Sequence, residues 1–210
     1  MKSKTERVIT YIDGFNFYHG LLRKGWIDLK WLDYYQLSLN IINPNQSLVA
    51  VRYFTARKSN TPSDPNIEKR QNDYLDALDA NPDLHIYEGN FQPSWKTCHE
   101  CGHSYQDLKE KRSDVNLATE LLVDVFNNRF DVAILVAADS DYISPVKFIN
   151  EQFPQKLLKV AIPPGNNSNA LTGIAKVLFY ISRGPVEAAQ LKDCVTLHSG
   201  HKVYRPLEWK

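Results

Sequence analysis

ILVAADSDY, residues 134–142, is an apolar run that ends abruptly in two acids, Asp139 and Asp141. A short apolar run of this kind is typical of a strand that is buried on both faces of a parallel sheet. Ligands bind at the carboxyl ends of such strands, because connecting loops and helix N-termini meet there. The stretch therefore predicts a buried strand that brings two carboxylates to one edge of a sheet.

Strand-like and helix-like stretches alternate along the chain, which favours an α/β fold with a mostly parallel sheet and helices on both faces. Further strands are expected at residues 8–12, 48–55, 84–91 and 157–163. Helices are expected at about residues 15–25, 31–39, 65–78, 109–128, 141–152 and 169–180. Ser63 or Asp64 is the expected cap of the helix that starts at Pro65.

The length of 210 residues fits one sizeable α/β domain. We expect this domain over residues 1–183, with an insertion at 92–107, and a tail at 184–210 that packs on the domain. The formal net charge of +1 gives no global sign of a nucleic-acid partner, so any basic surface must be local. We expect no membrane span and no signal peptide, and three sparse cysteines favour a reduced, cytoplasmic protein.

Two further acids are placed to meet Asp139 and Asp141. VITYID ends at Asp13, so a parallel strand there would bring this carboxylate to the same edge of the sheet. Asp114 lies on the apolar face of a predicted helix, which it shares with Ala118, Leu121, Leu122 and Val125. A charge on that face is costly unless it is compensated. Mg²⁺ or Mn²⁺ would compensate all four acids, because both ions prefer carboxylate oxygen.

Each acid also has a simpler explanation. Aspartate at the end of a strand commonly caps a helix or forms a turn, and Asp139 or Asp141 would suit the helix that carries Pro145. Four independent caps are a poor explanation for the whole set, because it combines Asp13 and Asn16 after the first strand with a core-facing Asp114 and a later pair of acids one residue apart. Asn16 could orient a water or hold an acid. Lys111, three residues before Asp114, could contact a phosphate.

Three blocks of the sequence resemble the signature blocks of NYN domains, which belong to the wider PIN-like nuclease group. They are IDGFNFY (12–18), KRSDVNLATELL (111–122) and FDVAILVAADSDYISPV (130–146). Their order and spacing match, and the resemblance covers most of residues 8–183. It implies a three-layer α/β/α sandwich with a PIN-like, mostly parallel sheet, and a metal-dependent ribonuclease that hydrolyses RNA phosphodiester bonds.

The resemblance also implies roles for individual residues. Carried over by position, the catalytic and metal-binding acids are Asp13, Asp114, Asp139 and Asp141, with Asn16 as the accompanying polar residue. Glu120 is at a position where such domains often have another acid, but about 600° of helical rotation from Asp114 puts it on a different face. Many members have a glycine where this chain has Ala138, whose methyl group would narrow access to the backbone.

Local basic and aromatic residues are candidates for holding RNA. The candidate substrate-binding residues are Arg52, Arg57, Lys58, Lys111 and Arg112. Phe15, Phe17 and Tyr18 could stack on a base. The alternatives stay open, since basic residues are commonly just solvated and aromatic residues commonly belong to the core.

The insertion WKTCHECGHSY carries a second metal motif. Cys98, Cys101 and His103 have the spacing of one knuckle of a zinc ribbon, so a structural Zn²⁺ is one interpretation. The fourth ligand would be His99, His85 or a residue of another chain. Free thiols in an exposed loop are the alternative. Cys194 has no such spacing and is expected to be a small buried hydrophobe.

Two other functions remain open beside the ribonuclease. A catalytically weak or silent RNA-binding or scaffold module could keep the same fold, and a near-neutral charge fits a weak or selective binder. A hydrolase of small phosphomonoesters could use the same metal site. The sequence is also compatible with a homo-oligomer and does not choose between Mg²⁺ and Mn²⁺.

Overall fold

The computed structural model describes residues 5–210, except for the side chains of residues 106 and 107. The described strands are β1 (Glu6–Asp13), β2 (Gln46–Thr55), β3 (Leu84–Glu88), β4 (Asn90–Thr97), β5 (Ser104–Lys111), β6 (Val132–Val136), β7 (Leu157–Ile162), β8 (Val177–Tyr180), β9 (Cys194–Thr196) and β10 (Lys202–Tyr204). The described α-helices are α1 (Gly14–Lys24), α2 (Tyr34–Ile41), α3 (Ile67–Asp79), α4 (Ser113–Phe126), α5 (Ile143–Gln152), α6 (Asn169–Thr172) and α7 (Arg183–Glu187). Short 3-10 helices cover Ile27–Leu29, Ser140–Tyr142 and Leu207–Trp209.

Six strands form one parallel sheet in the order β3-β2-β1-β6-β7-β8. Every residue of β6 is buried. Consecutive residues of this strand face opposite sides, so Ile134 and Val136 belong to one core cluster and Leu135 to the other. The first cluster lies under α1, α2, α3 and α7, and the second under α4, α5 and α6. The expected three-layer α/β/α sandwich with a mostly parallel sheet is confirmed.

The register of the sheet sets the position of the acids. Ile12 of β1 pairs with Val136 of β6, and Asp13 pairs with Phe54 of β2. The carboxyl ends of β1 and β6 therefore lie side by side at one edge of the sheet. We call this edge, with the loops and helix starts that follow its strands, the acidic edge.

Two helix predictions were wrong: one helix starts later than predicted, and the other is shorter than predicted and is followed by a strand. The predicted helix at 109–128 starts only at Ser113, because β5 pairs with β4 as far as Lys111. The predicted helix at 169–180 stops at Thr172, and residues Val177–Tyr180 form β8 beside β7 at the border of the sheet. In VLFY the apolar residues follow one another without a helical stripe, which fits a short edge strand.

Other expectations needed smaller corrections. The helix expected from Pro65 begins two residues later, and its N-cap position is Asn66 instead of Ser63 or Asp64. The helix expected at 31–39 is α2, which starts at Tyr34 after the cap Asp33.

The segment after Arg183 packs against the main core. Val186, Ala189 and Val203 are buried in the cluster beneath α1–α3, and Trp209 packs against the same cluster. The antiparallel hairpin β9–β10 is separate from the main sheet. Among residues 5–210, no helix combines the length and the apolar character that crossing a membrane requires.

Candidate functional site

Asp13 lies at the junction of β1 and α1, where it is 3% exposed. It caps α1: its Oδ1 accepts the backbone N–H of Asn16 at 2.9 Å, and its Oδ2 accepts the side-chain amide of Asn16 at 2.7 Å. The Oδ1 of Asn16 in turn accepts the backbone N–H of Ala138 at 3.0 Å. Asn16 thus ties the end of β1 to the loop that follows β6.

Tyr142 connects Asp13 to Asp114. Its ring is 1% exposed, and its hydroxyl donates to Oδ1 of Asp114 at 2.6 Å and contacts Oδ2 of Asp13 at 3.1 Å. Asp114 lies in the first turn of α4, so the helix brings this acid to the acidic edge. A tyrosine hydroxyl has a single proton. Both contacts are hydrogen bonds at the same time only when one of the two acids also carries a proton.

Asp139 and Asp141 belong to the turn after β6. Oδ1 of Asp139 accepts the backbone N–H of Asp141 at 3.0 Å, so Asp139 caps the 3-10 helix that Tyr142 completes. The Asp139 side chain is half-buried, and Asp141 is exposed. Asp139 is therefore a cap, but of this 3-10 helix and not of the helix that carries Pro145, whose N-cap position is Tyr142. The cap does not account for the charges that surround Asp139.

Burial and neighbouring carboxylates raise the pKa values of Asp13 and Asp114. Burial raises the pKa of Asp13 to about 7, with the charges of Asp114 and Asp139 acting in the same direction and the hydrogen bonds of Asn16 and Tyr142 acting against it. Burial also raises the pKa of Asp114, and Glu110, Asp139 and Asp141 add to that rise. The structure thus brings all four predicted acids within electrostatic reach of one another.

The donor set fits a hard cation in its chemistry. The four acids offer carboxylate oxygen, and within residues 5–210 no lysine or arginine forms an ion pair with any of them. As the side chains stand, the described residues include no three carboxylates, imidazoles or thiols that are already placed to coordinate one ion. Binding of a cation would therefore require the more exposed side chains, Asp139 and Asp141, to move toward the ion.

A polar groove adjoins the acidic edge. It has a volume of about 490 Å³ and is lined by α1, the Asp139 turn and the loop after β7, with the residues Phe15, Asn16, His19, Arg23, Ala138, Asp139, Ser140 and 166–170. Asn166 donates to the backbone oxygen of Asn16 at 3.1 Å, and Arg23 donates to the backbone oxygen of Gly165 at 3.0 Å. These contacts hold the loop against α1.

The structure disperses the basic residues that the sequence suggested for RNA. Arg52 is 7% exposed and donates to both carboxylate oxygens of Asp124, at 2.5 and 2.8 Å. This burial removes Arg52 from the candidate RNA contacts. Arg57 forms an ion pair with Glu88 at 2.8 Å. Lys58 lies on the α1 side, with its ammonium 5.5 Å from the centre of the Tyr18 ring.

Lys111 and Arg112 remain exposed beside the start of α4. Glu120, placed on another face by the helical spacing, lies away from the acids: its Oε2 is 3.4 Å from Arg52 and 3.1 Å from the Tyr87 hydroxyl. Of the three aromatic candidates, Phe17 is fully buried in the core. Phe15 and Tyr18 are half-buried.

The cysteine motif lies at the tip of an antiparallel hairpin formed by β4 and β5. Cys98 donates its N–H to the backbone oxygen of His103 at 2.8 Å, and Gly102 donates to the backbone oxygen of Cys98 at 2.9 Å. Hydrogen bonds from the backbones of Cys101 and Glu100 and from the Cys101 side chain lower the pKa of Cys98. Cys98, Cys101 and His103 do not form a ready three-ligand group within the described residues.

Sequence reasoning missed three parts of the site. Tyr142 stands in the DSDY motif, but its contact with Asp114 spans 28 positions and is visible only in the fold. Glu110 lies at the end of β5, at a position that was predicted to start the following helix. The run GNNSN, residues 165–169, follows β7 at the acidic edge, and its polar composition after a buried strand was the available signal.

Two known proteins are similar to this chain. The chain is 26% identical over 227 aligned residues to the 6-hydroxy-3-succinoylpyridine 3-monooxygenase HspA of Pseudomonas putida, with 91% of this chain and 72% of that protein covered. A crystal structure of a protein of unknown function from Vibrio parahaemolyticus has a similar fold. Its TM-score is 0.55 at 17% identity, and the match covers 91% of this chain and 99% of that one.

The family model of the NYN domain matches residues 7–180. This range runs from β1 to β8 and includes all four acids, Asn16, Tyr142 and the polar groove. The resemblance of the three sequence blocks is therefore confirmed, and the chain belongs to the NYN domain family.

Proposed function

We propose that this protein is a metal-dependent ribonuclease that hydrolyses RNA phosphodiester bonds at the acidic edge. One observation carries the proposal: Asp13 and Asp114 are drawn together with Asp139 and Asp141, although burial and repulsion raise the pKa of both. Such an arrangement costs folding free energy unless a ligand compensates it. A nuclease-like NYN fold supports RNA as the substrate class.

Asp13, Asp114, Asp139 and Asp141 are the residues that would hold Mg²⁺ or Mn²⁺. When bound, such an ion orients a phosphodiester, lowers the pKa of a water and stabilises charge on the leaving oxygen. The carboxylates are hard oxygen donors, and no protein cation of residues 5–210 competes for them through an ion pair.

The other polar residues position these acids. Asn16 holds Asp13 through two hydrogen bonds and fixes the Ala138 backbone with its carbonyl oxygen. Burial and the two neighbouring carboxylates raise the pKa of Tyr142, so its hydroxyl keeps its proton at neutral pH. That proton holds Asp114 against Asp13 and limits how far the two acids separate.

The polar groove is the proposed path for the RNA strand. Arg23 and the amides of the loop at 166–169 offer donors to phosphate and sugar oxygens on one side of the acids. Lys111 and Arg112 are exposed on the α4 side. Few cations are involved, so we expect modest affinity that falls gently with salt.

Cleavage of mixed single-stranded and structured RNA, in Mn²⁺, Mg²⁺ or chelator, tests the proposal. We expect metal-dependent cleavage that falls roughly a hundredfold or more in Asp139→Asn, because this acid is half-buried at the edge. Asp79→Asn, an exposed change on α3, is the matched control and should retain activity. Full activity in the Asp139→Asn protein, or cleavage that persists in chelator, contradicts the proposal.

A second candidate is an RNA-binding module without cleavage. It is favoured by the fact that no three ligands among the described residues are already placed around one ion. This candidate predicts that folded protein binds RNA equally well in chelator and in Mn²⁺, and that Asp139→Asn does not weaken binding. Including a small phosphomonoester in the same assays separates a phosphatase from both.

The name of the Pseudomonas relative describes oxygenation and not hydrolysis. We favour hydrolysis for this chain because its clustered carboxylates suit a hard cation that orients phosphate. Uptake of dioxygen, measured beside RNA cleavage, distinguishes the two reactions.

Cys98, Cys101 and Cys194 are free thiols, which fits our inference of a reducing, cytoplasmic setting.

A further inference from the structure

A cavity of about 220 Å³ lies on the α1–α3 side of the sheet, separate from the polar groove. Six aromatic residues line it: Phe15, Tyr18, Tyr34, Tyr53, Tyr74 and Trp209. Tyr34, Tyr53 and Tyr74 are buried and form its inner wall. Phe15, Tyr18 and Trp209 are half-buried, so they form the part that solvent can reach.

The cavity borders the acidic edge. Gly14, which lines the cavity, directly follows Asp13, and Phe15 lines both the cavity and the polar groove. The charge of Asp13 contributes to the raised pKa of Tyr53, although burial is the main cause. A Cβ at Gly14 would come within 2.8 Å of the Tyr53 ring, so the backbone between the two sites has no space for a side chain.

Three cations face this aromatic cavity: Lys30, Lys58 and Arg70. The Lys30 ammonium is 5.5 Å from the centre of the Tyr18 ring and 5.9 Å from that of Trp209. The Lys58 ammonium is 5.5 Å from the centre of the same Tyr18 ring. Two ammonium groups thus lie near the same tyrosine ring.

The positive charge of the two lysines is only partly offset, because the charge of Asp64 acts on Lys58 without a direct ion pair. Arg70 pairs with Asp64 and Glu208, the two acids of the cavity, whereas Lys30 and Lys58 form no ion pair within residues 5–210. Burial lowers the pKa of Lys30, and the charges of Arg70 and Lys58 lower it further. An anion placed between the lysines would relieve that repulsion.

The size of the cavity limits its occupant. At about 220 Å³, it is smaller than the roughly 300–1,000 Å³ typical of sites for drug-sized ligands. A cavity of this size encloses one planar ring system and a small anionic group, so a ligand that also carries a sugar must leave part of itself at the solvent-exposed side, beside Tyr18 and Trp209. The exposed aromatic faces stack on such a ring, and the ammonium groups bind the anion.

We propose that this cavity binds a nucleoside monophosphate unit, with its base against Tyr18 and Trp209 and its phosphate at Lys30 and Lys58. The unit could be a free nucleotide or the phosphorylated end of an RNA strand. The second source rests on the proposed ribonuclease function, because the cavity then holds a terminus while the adjoining acids act on the strand. The Asp64 and Glu208 carboxylates could accept hydrogen bonds from base or ribose.

Calorimetric titration with adenosine 5′-monophosphate, adenosine and benzoate tests the proposal. The titrations contain chelator, so they do not depend on cleavage or on a cation, and a failure here is distinct from a failure of the ribonuclease assay. We expect the monophosphate to bind at least tenfold more tightly than adenosine or benzoate, by roughly the strength of a charge-assisted hydrogen bond. Equal affinities, or no binding of the monophosphate, overturn the proposal.

Variants of the lysines identify the site. Lys30→Gln and Lys58→Gln should each weaken binding of the monophosphate about tenfold, whereas Lys30→Arg should retain most of it. Lys147→Gln, an exposed change on α5, is the matched control. If both Gln variants bind as the unmodified protein does, the phosphate is not at these lysines and the proposal fails.

Competition between the monophosphate and short oligoadenylates identifies the source. Displacement by a 5′-phosphorylated strand, but not by a 5′-hydroxyl strand, assigns the cavity to an RNA terminus. Binding of the mononucleotide without displacement by either strand assigns it to a free nucleotide.

Discussion

The acidic edge and the β4–β5 hairpin are both rich in metal-binding residue types, but they are built differently. Asp13 ends β1 and Asp139 follows β6, two strands of the central sheet, and β6 is wholly buried. The hairpin strands pair with each other outside that sheet, and its Trp95 is 71% exposed. Its Phe91 contacts Phe15 of α1, with ring centres 5.8 Å apart.

This difference explains why carboxylates crowd together at the acidic edge. At the acidic edge, the sheet register fixes the backbone of each acid, so repelling carboxylates stay together and folding stability is lost to repulsion. At the hairpin tip, local backbone hydrogen bonds determine the position of Cys98 and its neighbours. Neither region has three ligands already placed around one ion within the described residues. The regions differ because burial and neighbouring carboxylates raise the pKa of Asp13 and Asp114, whereas the pKa of Cys98 is lowered by hydrogen bonds within the tip.

The largest expected difference between the two regions is in folding stability. Leu135→Ala removes a fully buried side chain of β6 and should lower the free energy of unfolding by about 3–5 kcal/mol. Leu108→Ala, at a side chain of the hairpin that is 52% exposed, should change it by less than about 0.5 kcal/mol. Urea denaturation measures both. A large loss in the Leu108→Ala protein would show that the hairpin belongs to the cooperative core.

A pH series tests how much folding stability is lost because Asp13 is buried beside other carboxylates. The pKa of Asp13 is raised from 3.8 to about 7, so the folded state binds a proton that the unfolded state has released between those values. Stability should therefore fall as pH rises from about 4 to about 7, by up to about 4 kcal/mol. In Asp13→Asn this part of the slope should disappear. Denaturation in chelator at each pH measures it, and identical slopes for both proteins would contradict the expectation.

The Tyr142 hydroxyl should have an intermediate effect. Tyr142→Phe leaves Asp114 and Asp13 without their shared donor, at a cost of about 1–2 kcal/mol in unfolding free energy at neutral pH. Because that hydrogen bond lowers the pKa of both acids, its loss should move the acidic limb of the cleavage profile to higher pH. An unchanged profile, with reduced stability alone, would mean that Tyr142 has no role in the reaction.

The smallest effect is expected at the hairpin cysteines. Replacing Cys98 and Cys101 by serine should change the free energy of unfolding by less than about 0.5 kcal/mol, because both lie at an exposed tip. Metal analysis of the purified protein accompanies the measurement. If the protein contains about one zinc per chain, and the variant loses both the zinc and several kcal/mol of stability, then a bound zinc ion stabilises the hairpin.

The sequence predicted those parts of the site that follow directly from strand ends. A buried apolar run fixes where β6 stops, and parallel pairing then brings Asp139 beside Asp13. Arg52 was misjudged because its partner, Asp124, is 72 positions away on α4. The strand β8 was taken for a helix because four residues are too short for periodicity to distinguish the two.

Asn16 has a consequence for variation at this site. The Nδ2 of its side-chain amide donates to Asp13, and the Oδ1 accepts the backbone N–H of Ala138. Aspartate at position 16 would offer no donor to Asp13, and leucine would offer neither group. We therefore expect the residues at positions 13 and 16 to be statistically coupled among the folded members of a library that is randomised at both positions. Sequencing of the folded members would measure the strength of that coupling.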